Sequence, residues 1–97
     1  SKYLIFIRMA QINDVIENAK KELAALTGFT SPAGIGIQKA GTGWVVTIEI
    51  VEKKSIPDGM DLLGLYEVQA DAKGDVMGYT RKGLRKRIDT QGAQSEE

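Results

Sequence analysis

Histidine and cysteine are both absent from these 97 residues. Without cysteine there is no disulfide and no thiolate nucleophile or metal ligand, and the redox compartment stays undetermined. Without histidine the commonest general base and the commonest transition-metal ligand are missing together. Neither sign of charge is in excess, since 13 basic residues face 13 acidic ones. Overall charge therefore steers the chain toward neither nucleic acid nor a membrane surface. Long apolar runs are lacking too. Tyr3-Leu4-Ile5-Phe6-Ile7 is apolar for five residues, against roughly 18 for a membrane span, and it lacks the form of a signal peptide.

What remains is ordinary for a globular chain, 42% hydrophobic and 27% charged, and the length suits one domain with one modest core. Between Met9 and Leu26 the residues Met9, Ile12, Val15, Ile16, Ala19, Leu23 and Leu26 recur at spacings of three and four. That spacing predicts an amphipathic helix, with Glu17 and Lys21 as an i,i+4 pair on its polar side. Thr27-Gly28 supplies the stop and Pro32 keeps the helix from resuming. Met9-Ala10 has the form of a natural start. Residues 1–8 are therefore expected to be an upstream extension or an appended remnant, with the composition of an exposed β-former.

Downstream the period changes to two. Ala33 to Ala40 alternates and is weakened by glycine, which predicts a short edge strand. Gly41-Thr42-Gly43 is a tight connection, and Trp44 to Lys53 is a long strand with Trp44, Val46, Ile48 and Ile50 on one face. The turn residues Pro57-Asp58-Gly59 mark a loop over 55–61. Leu62 to Ala70 is a third strand. Asp71 to Gly74 is a turn, and Asp75 to Lys82 a fourth strand that Gly83 is expected to break. An Asp71–Asp75 pairing without a bulge sets Val68 opposite Gly78 and Glu67 opposite Tyr79; a bulge swaps the faces. Leu84 to Asp89 is expected to form one more turn or short helix. The expected fold is α+β: a helix on a four-stranded antiparallel meander over residues 9–89, then a polar, disordered tail over 90–97.

The candidate chemistries fall away one at a time. Glu49, Glu52 and Glu67 lie on strands, where a structural or recognition role is simpler than acid–base work, and alternation puts Glu49 and Glu67 on a face where lysine or arginine can pair across the sheet. Asp71-Ala-Lys-Gly-Asp75 has the acidic spacing of a calcium loop fragment but lacks its other ligands and its helices, so a hairpin turn is the better reading. Gly34-Ile-Gly36 and Gly41-Thr-Gly43 precede no helix and hold no phosphate. No cofactor or metal is expected. One electrostatic feature stands out: Arg81, Lys82, Arg85, Lys86 and Arg87 put five positive charges into seven residues. With no stacking aromatics inside the run, contact with a protein or another acidic surface is favoured over nucleic acid.

Taken in order, Gly43-Trp44, Thr47 with Glu49, Ile56-Pro57-Asp58, Tyr66-Glu67-Val68, Asp71 with Gly74-Asp75, and Gly78-Tyr79 before a basic stretch resemble the core of the gas vesicle protein O family. The likeness runs over about residues 10–87. It departs in the basic stretch, where Lys82-Gly83-Leu84-Arg85-Lys86-Arg87 replaces an Arg-Arg-Tyr-like element. The resemblance implies a cytoplasmic, non-enzymatic accessory protein for building gas vesicles. It would work with other gas vesicle proteins, including the ATPase-like gas vesicle protein N or the shell protein. Candidate contact residues are then Val45, Glu49, Val51, Ile56, Pro57, Asp58, Glu67, Tyr79, Arg81, Lys82, Arg85, Lys86 and Arg87. The helix-plus-meander layout also looks like a PepSY-type module, whose inhibitory or ligand-binding role is the alternative reading.

Overall fold

The computed structural model describes the backbone of residues 2–88 and the side chains of residues 11–88. One helix, α1 (Lys2–Thr27), is followed by four strands, β1 (Thr30–Ala40), β2 (Gly43–Lys53), β3 (Leu62–Ala70) and β4 (Val76–Lys86). The strands pair in chain order as an antiparallel meander, β1-β2-β3-β4, so β1 and β4 are the edges. This is the α+β layout expected from the change of hydrophobic period.

Helix α1 ends where its sequence says it should. Gly28 takes φ +78°, a left-handed conformation that costs glycine little, and its N–H donates back to the Ala24 carbonyl at 2.8 Å. The Thr27 hydroxyl donates to the Leu23 carbonyl at 2.7 Å and accepts from the Phe29 N–H at 3.2 Å, which leads the chain into β1. The start differs from expectation. The backbone is helical from Lys2, so the segment read as an exposed β-former continues α1. A five-residue apolar run has no decisive period of its own, and the helix behind it propagates through. The polar pairing also differs: Lys20, not Lys21, reaches Glu17, at 3.2 Å and i,i+3.

Val15, Ala19 and Leu23 of α1 are buried against Val46, Ile48 and Ile50 of β2 and Tyr66, Val68 and Ala70 of β3. Ile16, Ala24, Phe29, Ile37, Trp44 and Val76 pack around that cluster. Each fully buried aliphatic side chain contributes roughly 1.5–3 kcal/mol of transfer free energy. Leu26, last in the expected stripe, is 57% exposed, and Phe29 packs against the core instead. Asn18 pins the helix to the β3–β4 turn, donating to the Gly74 carbonyl at 3.0 Å.

Between β2 and β4, three register shifts set which side chains share a face. The β3–β4 register runs Ala70↔Val76, Gln69↔Gly78, Val68↔Tyr79 and Glu67↔Thr80, so Met77 is an extra residue. The bulged alternative therefore holds, and Glu67 is opposite Thr80 rather than Tyr79. A second extra residue, Lys82, lies between Tyr66↔Arg81 and Leu65↔Gly83. With it, β4 passes through Gly83 and continues to Lys86; the expected break at Gly83 and the turn or helix after it do not occur. The third, Glu52, lies between Val51↔Leu63 and Lys53↔Leu62. The tail expected over 90–97 lies outside the described residues.

Candidate functional site

The bulge at Lys82 distributes the basic run over both faces. Arg81 and Arg85 are four apart and would share a face in a regular strand. The extra residue between them turns Arg85 to the far side of the sheet. Arg81 stays on the helix side, opposite Tyr66, and forms a two-pronged pair with Glu52 at 3.0 and 2.7 Å. Arg85 makes the equivalent pair with Glu49 on the other face, at 2.8 and 2.9 Å. Two matched arginine–carboxylate forks thus clamp β4 to β2 across β3, one on each side.

The helix-side fork has the better covered carboxylate, Glu52 at 12% exposed against 18% for Glu49, but the more exposed arginine, Arg81 at 47% against 36% for Arg85. Glu52 accepts a further hydrogen bond from the Tyr66 hydroxyl at 2.7 Å, and the Tyr66 ring meets Tyr79 edge-on at 5.8 Å. Gly64 makes the space: a Cβ there would overlap the Glu52 carboxylate. Burial alone would push the Glu52 carboxyl up, but the hydrogen bonds from Arg81 and Tyr66 outweigh it, and the net direction is down. Burial, reinforced by the bond to Glu52, pushes the Tyr66 hydroxyl up to about 12.

At the end of the sheet the loop after β2 is drawn together by Asp61, whose side chain is fully buried. Its carboxylate accepts from the Ser55 N–H at 2.7 Å, from Lys54 at 3.2 Å and from Arg87 at 3.1 Å. These partners, the Ser55 N–H foremost, hold the Asp61 carboxyl below its usual range despite the opposing effect of burial. The Arg87 N–H also donates to the Asp61 carbonyl, and the Ile88 N–H to the Gly59 carbonyl, both at 2.8 Å. On this fixed corner the Ile56–Pro57 bond is cis and Ile56 is 99% exposed. Asp58 opens a single 3₁₀ turn, Asp58–Met60, and pairs loosely with Lys54 at 3.4 Å.

The face away from α1 is the remaining surface. It carries Val45, Thr47 and Glu49 of β2 and Leu65, Glu67 and Gln69 of β3, all half-buried. Among the described residues no element lies over it. Toward the loop end the same face closes, with Val51 and Leu63 buried beside the Arg85–Glu49 fork. Glu67 sits mid-sheet, opposite Thr47 on one side and Thr80 on the other.

The residues expected to form a contact surface therefore separate. Val45, Glu49, Glu67 and Arg85 share the open face, Tyr79 and Arg81 belong to the helix face, and Ile56, Pro57, Asp58 and Arg87 lie at the loop corner. Lys82 occupies the bulge and Lys86 ends β4; among the described residues neither makes an ion pair. Sequence reasoning missed Glu52, Tyr66, Asp61 and Gly64 as parts of these networks. The Tyr66–Glu52, Arg81–Glu52 and Arg87–Asp61 contacts span 14 to 29 residues, and Asp61 also reaches back six and seven residues to Ser55 and Lys54; no local signal reveals them.

Chemically, Glu52 and Asp61 are held ionised by cations and N–H donors, which suits fixed charge rather than proton transfer near neutrality. In the Asp71–Gly74 turn the Asp71 carboxylate accepts from the Lys73 and Asp75 N–H groups, as a hairpin turn requires. Among the described residues no group of three acidic side chains is placed to hold a metal ion, and no helix is long and apolar enough to cross a membrane.

A helix on a four-stranded antiparallel meander, clamped by carboxylate–arginine forks and, among the described residues, with no element over most of its second face, defines a small α+β module. The chain belongs to the gas vesicle synthesis protein GvpO family, whose family model matches residues 7–91. It is 37% identical over 67 residues to gas vesicle protein O of Streptomyces sp. (strain CB03234), a match covering 69% of this chain and 52% of the relative. To gas vesicle protein O of Haloferax mediterranei it is 35% identical over 69 residues, covering 70% of this chain and 49% of the relative. The matched region thus spans about half the length of these curated relatives. No solved structure matches the chain.

Proposed function

We propose that this chain is a non-enzymatic accessory module in gas vesicle formation, working in the cytoplasm through contacts with other gas vesicle proteins. The family match over residues 7–91 carries the reading. Two features of the molecule support it. The strand carboxylates Glu49 and Glu52 are taken up in arginine forks, which leaves them poorly suited to acid–base work. A broad, half-buried sheet face and a rigid corner with a protruding Ile56 offer surface for a partner.

Other gas vesicle proteins, the ATPase-like gas vesicle protein N and the shell protein among them, are the expected partners. Nucleic acid is a weaker fit. Arg81, Arg85 and Arg87 of the basic run are engaged by Glu52, Glu49 and Asp61, which leaves Lys82 and Lys86 for phosphates. Deleting the gene from a vesicle-forming cell should abolish vesicles in electron micrographs, and restoring the full-length protein should return them. Normal vesicles after clean deletion would overturn the reading.

A further inference from the structure

We propose that the open face of the sheet receives a basic segment of another gas vesicle protein that presents an arginine or lysine to Glu67. The proposal rests on the functional reading above. Two carboxylates, Glu49 and Glu67, lie on this face as diagonal neighbours, because Thr47 pairs with Glu67 and Glu49 with Leu65. Glu49 is matched within the chain by the Arg85 fork. Glu67 is half-buried in mid-sheet, and among the described residues its carboxylate has no hydrogen-bond or ion-pair partner.

A charge at that depth, ringed by Val45, Thr47, Leu65 and Thr80, is the centre of a surface that one further layer would desolvate. An anion that is desolvated needs a cation and hydrogen-bond donors, and the neighbouring fork shows that this face accommodates a guanidinium on a strand carboxylate. An antiparallel α+β sheet carries its own helices on one face, which leaves the second face free for a partner whose charge complements Glu67. A second copy docked face to face is disfavoured, because two-fold symmetry would bring the two Glu67 carboxylates onto one buried surface.

The test places a photo-crosslinking residue at Thr47 and, separately, at Lys21, which is exposed on α1, in the full-length protein inside vesicle-forming cells. Captured peptides are identified by mass spectrometry. Capture from Thr47 of a segment of another gas vesicle protein bearing lysine or arginine is expected. Glu67→Arg should lower its yield at least about tenfold, and reversing the partner's cation to glutamate should restore it. A thermal melt checks that Glu67→Arg and the milder Glu67→Gln remain folded. Capture of a gas vesicle protein from Lys21 alone overturns the assigned face while leaving the accessory role intact. Capture from Thr47 that is indifferent to Glu67→Arg, or capture of a second copy, also overturns it. If neither site captures any gas vesicle protein, the accessory reading falls with the proposal.

Discussion

On the helix side of the sheet Val46, Ile48, Ile50 and Val68 are wholly buried, whereas on the opposite side Val45, Thr47, Leu65 and Glu67 keep part of their surface in solvent. The same two strands supply both sets, since successive side chains point to opposite faces. One set makes the core; the other is held in place by it and remains available. The two forks differ in their partners rather than in their cover. Glu52–Arg81 is joined by the Tyr66 hydroxyl, while Glu49–Arg85 lies beside the open surface. A helix therefore fixes the fold from one side and leaves a rigid, partly polar platform on the other.

Substitutions on the two faces should separate sharply. Ile48→Ala or Leu23→Ala should cost about 2–5 kcal/mol, measured by urea denaturation, because each leaves a cavity in a closed core. Val45→Ala on the open face should cost well under about 1.5 kcal/mol, since less area is lost and water can fill the space. Equal losses at Ile48 and Val45 would mean that the open face is covered in the free protein.

Next in size is Asp61→Asn. It keeps the shape but removes the charge that gathers Ser55 N–H, Lys54 and Arg87, so the melting temperature should fall by less than for the cavity variants. The loop over 55–61 should lose amide-exchange protection first. An unchanged exchange pattern would show that Asp61 does not hold the corner.

Acid and alkali act on Glu52, Asp61 and Tyr66. Glu52 and Asp61 both have carboxyl pKa values below their ordinary ones. Their stabilisation is fully present above the unfolded carboxylate range near pH 4 and is lost as pH falls through the lower folded values. Tyr66 has the opposite sign. Its contribution is complete below pH 10 and is lost as pH rises from 10 toward about 12. Melting temperature against pH should therefore fall at both ends, and Tyr66→Phe should flatten the alkaline limb. An alkaline limb that survives Tyr66→Phe unchanged would place its cause elsewhere.

The smallest expected effect is at the open-face fork. Arg85→Ala should cost below about 1 kcal/mol, because a partly exposed pair gains little over its hydrated ions.

Much of this contrast was legible beforehand. The 3.6-residue stripe gave α1 and its stop at Gly28, and alternation placed Trp44, Val46, Ile48 and Ile50 under the helix. What stayed hidden depends on bulges. Nothing local marks Met77 or Lys82 as extra residues, yet they decide that Glu67 faces Thr80 and that Arg81 and Arg85 part company. Gly83 reads as a breaker in isolation, but β4 is carried past it by pairing with Leu65. The residues over 3–7 look like a strand because they are apolar and β-branched, and become helix by continuity with α1. The PepSY-type reading rests on element order in the sequence alone, and element order carries no function by itself.

The central claim is that the covered face makes the fold and the open face makes the contact. Glu67→Arg tests it most directly, introduced into the full-length protein in a vesicle-forming cell, with vesicles counted by electron microscopy and the melting temperature of the purified variant measured in parallel. The account predicts a folded protein, within about 0.5 kcal/mol of the parent, and a cell without vesicles. Normal vesicle numbers from an equally abundant, folded Glu67→Arg protein would contradict it.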